Sequence, residues 1–174
     1  MEPTLTAALT FNTPSACVRP LDPGDVNLYC RIYGDEDTMR HVGPPLSLAR
    51  ARRSFAGALR QTHAAAPAAL FAAVTSTDGR DGIGICGLRE IDLPRRCAEV
   101  GLLLLPTARA RGLGKEVLCR LIERCLVPQL LDEIYLEYDL NNVPMAKLAM
   151  RAAFVPEEKA EKPLRRCVRR RSVA

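Results

Sequence analysis

An apolar run from Val100 to Leu105 closes on Pro106 and is followed shortly by Gly112-Leu113-Gly114. Few folds accommodate that order. The apolar run reads as a buried strand, and the residues after Gly112 read as a helix. Leu113, Val117, Leu118, Leu121, Ile122 and Cys125 recur with a period near 3.6 and make one apolar stripe. A helix leaves its first N–H groups without intrahelical partners. With glycine at 112 and 114 no side chain shields those groups, and Arg109, Arg111 and Lys115 add positive charge around them. Bare amides and cations at a helix start suit a phosphate, so the segment reads as a diphosphate cradle.

The chain of 174 residues is long enough for one cored domain, and we read 1–174 as a single domain. Hydrophobic residues make up 48% and charged residues 26%, which predicts a soluble globular protein without a membrane partner. No apolar stretch approaches the roughly 18 residues that a membrane span needs. Residues 1–15 lack the basic start and apolar core of a signal peptide and read as a loosely ordered leader, so a cytoplasmic protein is expected. Seven cysteines without a CxxC, beside two histidines, read as small core hydrophobes rather than metal ligands, so no metal is expected. The net charge of +5 owes much to Arg165, Arg166, Arg169, Arg170 and Arg171. With no aromatic residue interleaved, that run reads as a solvated edge strand or tail rather than a nucleic-acid surface.

Cys17 to Leu21 reads as a first strand, and Asp22-Pro23-Gly24-Asp25 starts a helix through Val26, Leu28, Tyr29 and Ile32. Ser47 caps a second helix towards Gln61, with Leu48, Phe55 and Leu59 placed inward. Ala69 to Thr75 and Ile83 to Ile91 read as strands around a turn at Asp78-Gly79 and Asp81-Gly82. Pro94-Arg95-Arg96 turns the chain into the buried strand. Beyond the cradle helix Pro128 breaks the pattern, Glu133 to Asp139 alternates as a strand, and Asn142-Val143-Pro144 opens a last helix. Leu164 to Val168 closes the sheet, giving a mixed α/β (α+β) architecture.

Two motifs fail on context. Gly82-Ile83-Gly84-Ile85-Cys86-Gly87 fits G-x-G-x-x-G but runs into a strand, where a dinucleotide site requires a helix. Gly112-Leu113-Gly114-Lys115 approaches a P-loop, yet Glu116 stands where Ser or Thr would reach magnesium. His41 and His63 have no nucleophile signature beside them.

Arg109-x-x-Gly112-x-Gly114 behind a strand ending in Pro106 resembles the Q/R-x-x-G-x-G/A signature of the GNAT superfamily of acyl-CoA N-acyltransferases. Asn142 to Phe154 is similar to that family's N-x-x-S…G-F stretch. Val18-Arg19-Pro20-Leu21, Asp25 and Asp37-Thr38-Met39-Arg40 resemble the RimJ/RimL-like branch. The resemblance implies a GNAT fold: a mixed sheet of six to seven strands, splayed between the fourth and fifth, with about four helices. It implies acetyl-CoA as acyl donor and no metal. Leu102 and Leu104 would offer backbone to the pantetheine arm, Arg109 would lie beside the cradle, and the amides of Ala110, Arg111, Gly112, Leu113, Gly114 and Lys115 would hold the pyrophosphate. Asn142 would lie near the arm.

Acyl transfer to an amine requires a neutral nucleophile, and an alkyl ammonium has a pKa of about 10.4, so a base must take a proton. Two strand carboxylates qualify, Glu137 ahead of Glu99. A strand N–H at Leu102 or Leu104 would stabilise the oxyanion. Met145 and Ala149 stand where the family often carries Ser and Tyr, leaving Tyr138 or water to protonate the departing thiolate. The resulting expectation is an N-acetyltransferase acting on a primary amine, either a protein N-terminus or a small amine. The alternative is an acyl-CoA-sensing module without turnover. A C-terminal strand could also pair across a homodimer.

Overall fold

The computed structural model describes residues 3–109, 112–157 and 164–172. The strands are β1 (Phe11–Asn12), β2 (Cys17–Pro20), β3 (Leu70–Thr75), β4 (Gly82–Asp92), β5 (Cys97–Leu104), β6 (Glu133–Asp139), β7 (Val155–Pro156) and β8 (Leu164–Arg170). The helices are α1 (Leu5–Ala8), α2 (Val26–Gly34), α3 (Glu36–Met39), α4 (Leu48–Thr62), α5 (Leu113–Cys125) and α6 (Val143–Arg151). All eight strands join one sheet in the order β1-β2-β3-β4-β5-β6-β8-β7. The sheet exceeds the expected six to seven strands because β1 and β7 are two-residue additions, and α1 and α3 add single turns to the expected four helices. The expected fourth and fifth strands are therefore β5 and β6.

Among the described residues only β5 and β6 pair in parallel, and α5 supplies the crossover that parallel neighbours require. Their pairing ends at Glu99↔Tyr135. Beyond it, β5 stays with β4 as far as Leu104↔Gly84, while β6 stays with β8 as far as Asp139↔Leu164. A gap opens between the two halves, which is the expected splay.

The alternation of β5 divides the core. Ala98, Val100 and Leu102 pack with Val117, Leu121 and Ile122 of α5, and Leu105 and Ile85 join Ile32 and Phe55 of α2 and α4 on the other face. Local signals set the helix starts. Asp22 and Asp25 form a reciprocal capping box before α2, and Arg19 grips Asp25 at 2.7 and 2.9 Å. Ser47 caps α4 by accepting from Arg50 N–H. At the end of α6, Phe154 N–H donates to Ala149 O and Ala153 N–H to Met150 O, a Schellman closure with Ala153 at φ +59°.

Three expectations change. Residues 3–15 are not a loose leader: Leu5, Ala8, Leu9 and Phe11 are buried against the α5 side of the sheet, and Arg124 donates to the carbonyls of Ala7 and Ala8. Leu48 is 60% exposed rather than inward, because the buried stripe of α4 runs through Ala51, Phe55, Ala58 and Thr62. The arginine-rich strand is not a solvated edge: β8 lies between β6 and β7, so its cations meet acids across the sheet. Arg166 pairs with Glu137 and Glu157, Arg170 with Glu133 and Glu157, and Arg171 with Asp132.

Candidate active site

The gap between β5 and β6 is the floor of a cleft of about 620 Å³ that draws residues from both faces of the sheet. Its backbone geometry follows from strand alternation. Leu105 N–H donates to Ile83 O at 3.0 Å on the β4 side, so the amides of Leu104 and Leu102 face the opposite way, into the gap. Gly101 widens the cleft, since a Cβ there would meet nothing within 4 Å.

On the α5 side, Gly112 caps the helix in the left-handed region at φ +81°, and no side chain caps the turn. The first bonds into the helix are Lys115 N–H and Glu116 N–H to Gly112 O, at 3.0 and 3.2 Å. The N–H groups of Leu113 and Gly114 precede them and face outward from the helix start. Gly114 sits against the splay: a Cβ there would lie 3.6 Å from Leu102, Leu104 and Leu148. Lys115 is exposed beside this turn. Glu116, at the former P-loop position, accepts from both Ser15 N–H and Ser15 Oγ, which ties the N-terminal segment to the cradle. Ala110 and Arg111, expected to contribute amides, lie outside the described residues.

Arg109 is placed differently from expectation. Its Nε donates to Leu104 O at 2.9 Å and its Nη2 to Thr38 Oγ1 at 2.9 Å, so it braces β5 against α3. The Leu104 carbonyl is therefore engaged, and the strand offers its N–H groups instead. Asn142 caps α6 by accepting from Met145 N–H at 3.1 Å and lines the cleft. Met145 also lines it, while Ala149 is buried.

Both expected carboxylates line the cleft. Glu99 is buried, with a side chain only 10% exposed, and Arg89 Nη2 lies 2.5 Å from its Oε1. Burial pushes the Glu99 carboxyl above the ordinary glutamate range; Arg89 opposes the shift, and Glu90 and Glu137 add to it. Glu137 is more open, with its side chain 36% exposed, and lies 3.5 Å from Arg166. Tyr138 accepts a hydrogen bond from Cys167 Sγ at 3.8 Å, and burial raises its phenol.

Sequence reasoning missed Arg89, Glu90, Tyr135 and Arg166. Tyr135 donates to Glu90 Oε2 at 2.5 Å, and the Arg166 guanidinium lies 3.6 Å from the Tyr135 ring centroid. The signal for Arg89 was a hairpin register counted back from Pro94-Arg95-Arg96. That count goes astray by one residue, because β4 shifts register between Arg89 and Asp92.

A family model for the acetyltransferase (GNAT) domain matches residues 16–155. The chain belongs to this family. Solved structures agree with the GNAT fold. Spermidine N-acetyltransferase from Vibrio cholerae, in complex with CoA and spermine, has a TM-score of 0.77 at 18% identity, over 91% of this chain and 97% of its own. RimL, a ribosomal-protein alpha-N-acetyltransferase in complex with CoA, has a TM-score of 0.76 at 15% identity, over 91% and 95%. The microcin self-immunity acetyltransferase MccE, in complex with acetyl-CoA and AMP, has a TM-score of 0.78 at 13% identity, over 91% and 93%. No curated protein sequence matches the chain. Among the described residues of this GNAT chain, no His, Cys, Asp and Glu group could hold a metal ion, and no helix is long and apolar enough to cross a membrane.

Proposed function

We propose that this GNAT domain transfers the acetyl group of acetyl-CoA to a primary amine by direct attack in a ternary complex. One observation carries the reading: the bare start of α5 and the free amide edge of β5 meet at the mouth of a cleft with a buried carboxylate at its base. The residues suit the donor. Leu113 and Gly114 present N–H groups to a diphosphate, Lys115 adds charge, and Leu102 and Leu104 offer N–H groups to an extended arm.

Acetyl-CoA supplies a thioester carbonyl open to attack by nitrogen. Glu99 accepts the proton of the incoming ammonium, because burial gives it a higher proton affinity than an exposed glutamate has. Three residues of strand, about 10 Å, separate it from Leu102, so the proton travels through a short water chain. The Leu102 or Leu104 N–H donates to the carbonyl oxygen as negative charge grows there. Tyr138 or water returns a proton to the sulfur, whose thiol pKa of about 8.5 already makes it a tolerable leaving group. Glu137, two positions beyond Tyr135 on β6, adds negative charge that draws the ammonium in. We rank Glu99 above Glu137 as base because Glu137 is open to solvent.

The acceptor we favour is a protein N-terminus, as in the RimJ/RimL-like branch. Its support is the RimL likeness and the acidic turn Asp35-Glu36-Asp37, of which Asp37 reaches the cleft. Met145 and Ala149, which can give no proton, favour the second reading of acyl-CoA binding without turnover. Free-thiol release from acetyl-CoA with peptides and small amines separates the two. Turnover that is lost in Glu99→Gln supports the enzyme; silence with every amine, despite CoA binding, supports the sensor.

A further inference from the structure

The hairpin between β4 and β5 contains a one-residue shift with a chemical consequence. Asp92 pairs with Cys97, and a regular register would then place Ile91 opposite Ala98 and Glu90 opposite Glu99. Two carboxylates would face each other at the buried base of the cleft, a destabilising arrangement. Instead the strand bulges. Glu90 adopts φ +48°, and Arg89 becomes the partner of Glu99. Non-glycine residues with positive φ cluster where the surrounding structure over-determines them, often at functional sites. The displaced Glu90 is not idle, since it accepts the Tyr135 hydroxyl.

We propose that Arg89 is a positioning residue for the acetyl transfer, placed by the bulge at Glu90 to hold Glu99 ionised and fixed in the cleft. The inference rests on the reading of Glu99 as the base. Among the described residues, the other groups facing Glu99 work against ionisation or stand aside. Glu90 on β4 and Glu137 on β6 are like charges, Tyr135 on β6 is neutral, and Arg166 on β8 is committed to Glu137, Glu157 and the Tyr135 ring. Tyr33 of α2 lies near Arg89, and desolvation pushes its partly buried phenol well above the ordinary range, so it carries no charge. Arg89 is the cation at 2.5 Å from Glu99, and its side chain is 55% exposed, so it reaches Glu99 without being buried itself. A base that waits as a neutral acid accepts no proton. A buried carboxylate without a cation would wait in that state near neutrality.

The test is the titration of Glu99 itself, followed by the 13Cδ resonance of glutamate-labelled full-length protein and assigned with Glu99→Gln. In Arg89→Met the midpoint should rise by about one pH unit or more, and in Arg89→Lys it should stay near the wild-type value. The acid limb of the kcat/KM profile should move with it, with activity regained at higher pH. A purely structural role would instead lower kcat/KM at every pH and leave the limb in place. If Arg89→Met fails to fold, Arg89→Gln carries the same expectation, with melting and CoA binding as fold controls. A midpoint that is unmoved or lower in the folded variant overturns the proposal. Full activity in Glu99→Gln would overturn the base assignment alone, because the titration reports the pair regardless of turnover.

Discussion

Replacing Gly112 separates backbone geometry from every other property of the cradle. A Cβ there would meet nothing within 4 Å, so Gly112→Ala creates no clash. The cost is conformational: φ is +81°, where an L side chain is disfavoured by about 1–2 kcal/mol. For a chain of this size that lowers Tm by roughly 2–8 °C. The strain is relieved if residue 112 rotates out of the left-handed region, but its carbonyl accepts the first two bonds of α5, so rotation re-aims the helix start. Charge-assisted N–H bonds to a diphosphate contribute about 1.5–3 kcal/mol each. Losing one should weaken CoA about tenfold to a hundredfold. Gly114→Ala is the control, because its Cβ makes ordinary 3.6 Å contacts with Leu102, Leu104 and Leu148 and the helix gains up to about 1 kcal/mol in propensity. Its Tm should hold or rise. Melting curves and calorimetry with CoA, beside pantetheine as a ligand lacking the diphosphate, read both effects. Gly112→Ala should lose CoA affinity and keep that for pantetheine; a lowered Tm with unchanged CoA affinity would show that the start of α5 does not hold the diphosphate.

Three further outcomes are expected. Ala153→Gly should stabilise by about 0.5–1 kcal/mol, since the Schellman closure of α6 already holds a glycine conformation, and a denaturant midpoint that falls would contradict that. Glu99→Gln should abolish most turnover while Glu137→Gln keeps more of it. The wild-type kcat/KM should lose its acid limb above the ordinary glutamate range, because burial raises Glu99; a limb below about 4 would count against Glu99. Asp132 is held below the ordinary aspartate range by hydrogen bonds from Arg171 and Arg96. Its contribution to stability is therefore complete above an unfolded pKa of about 3.9 and fades as pH falls through the depressed folded value, a dependence that Asp132→Asn should remove from the acid melting profile.

The parts of the fold that sequence resolves are those set by local periodicity and capping. The α5 stripe from Leu113 to Cys125, the Ser47 cap and the strand from Glu133 to Asp139 stand as read, although Ile134, Tyr135 and Leu136 are all buried rather than alternating. Errors arise where a non-local partner decides. Leu5 and Leu9 carry too little local pattern to reveal that α5 buries them. The arginines of β8 read as solvent-facing because Glu133, Glu137 and Glu157, their partners, lie on other strands or beyond. The site shows the same division. Gly112 and Gly114 announce themselves through backbone needs and Leu102 and Leu104 enter only through the family resemblance, whereas Arg109 turns to brace Thr38. Arg89 stayed hidden because Glu90, a residue ill-suited to positive φ, forms the bulge that sets the register.

On the proposed reading, CoA lies in the gap between β5 and β6 with its diphosphate on the start of α5. Backbone amide shifts of the 15N-labelled chain, followed as CoA is added, test it directly. Leu102, Leu104, Leu113 and Gly114 should move together and saturate at one equivalent. Saturable CoA binding that leaves those four amides in place would put the cofactor elsewhere on the chain.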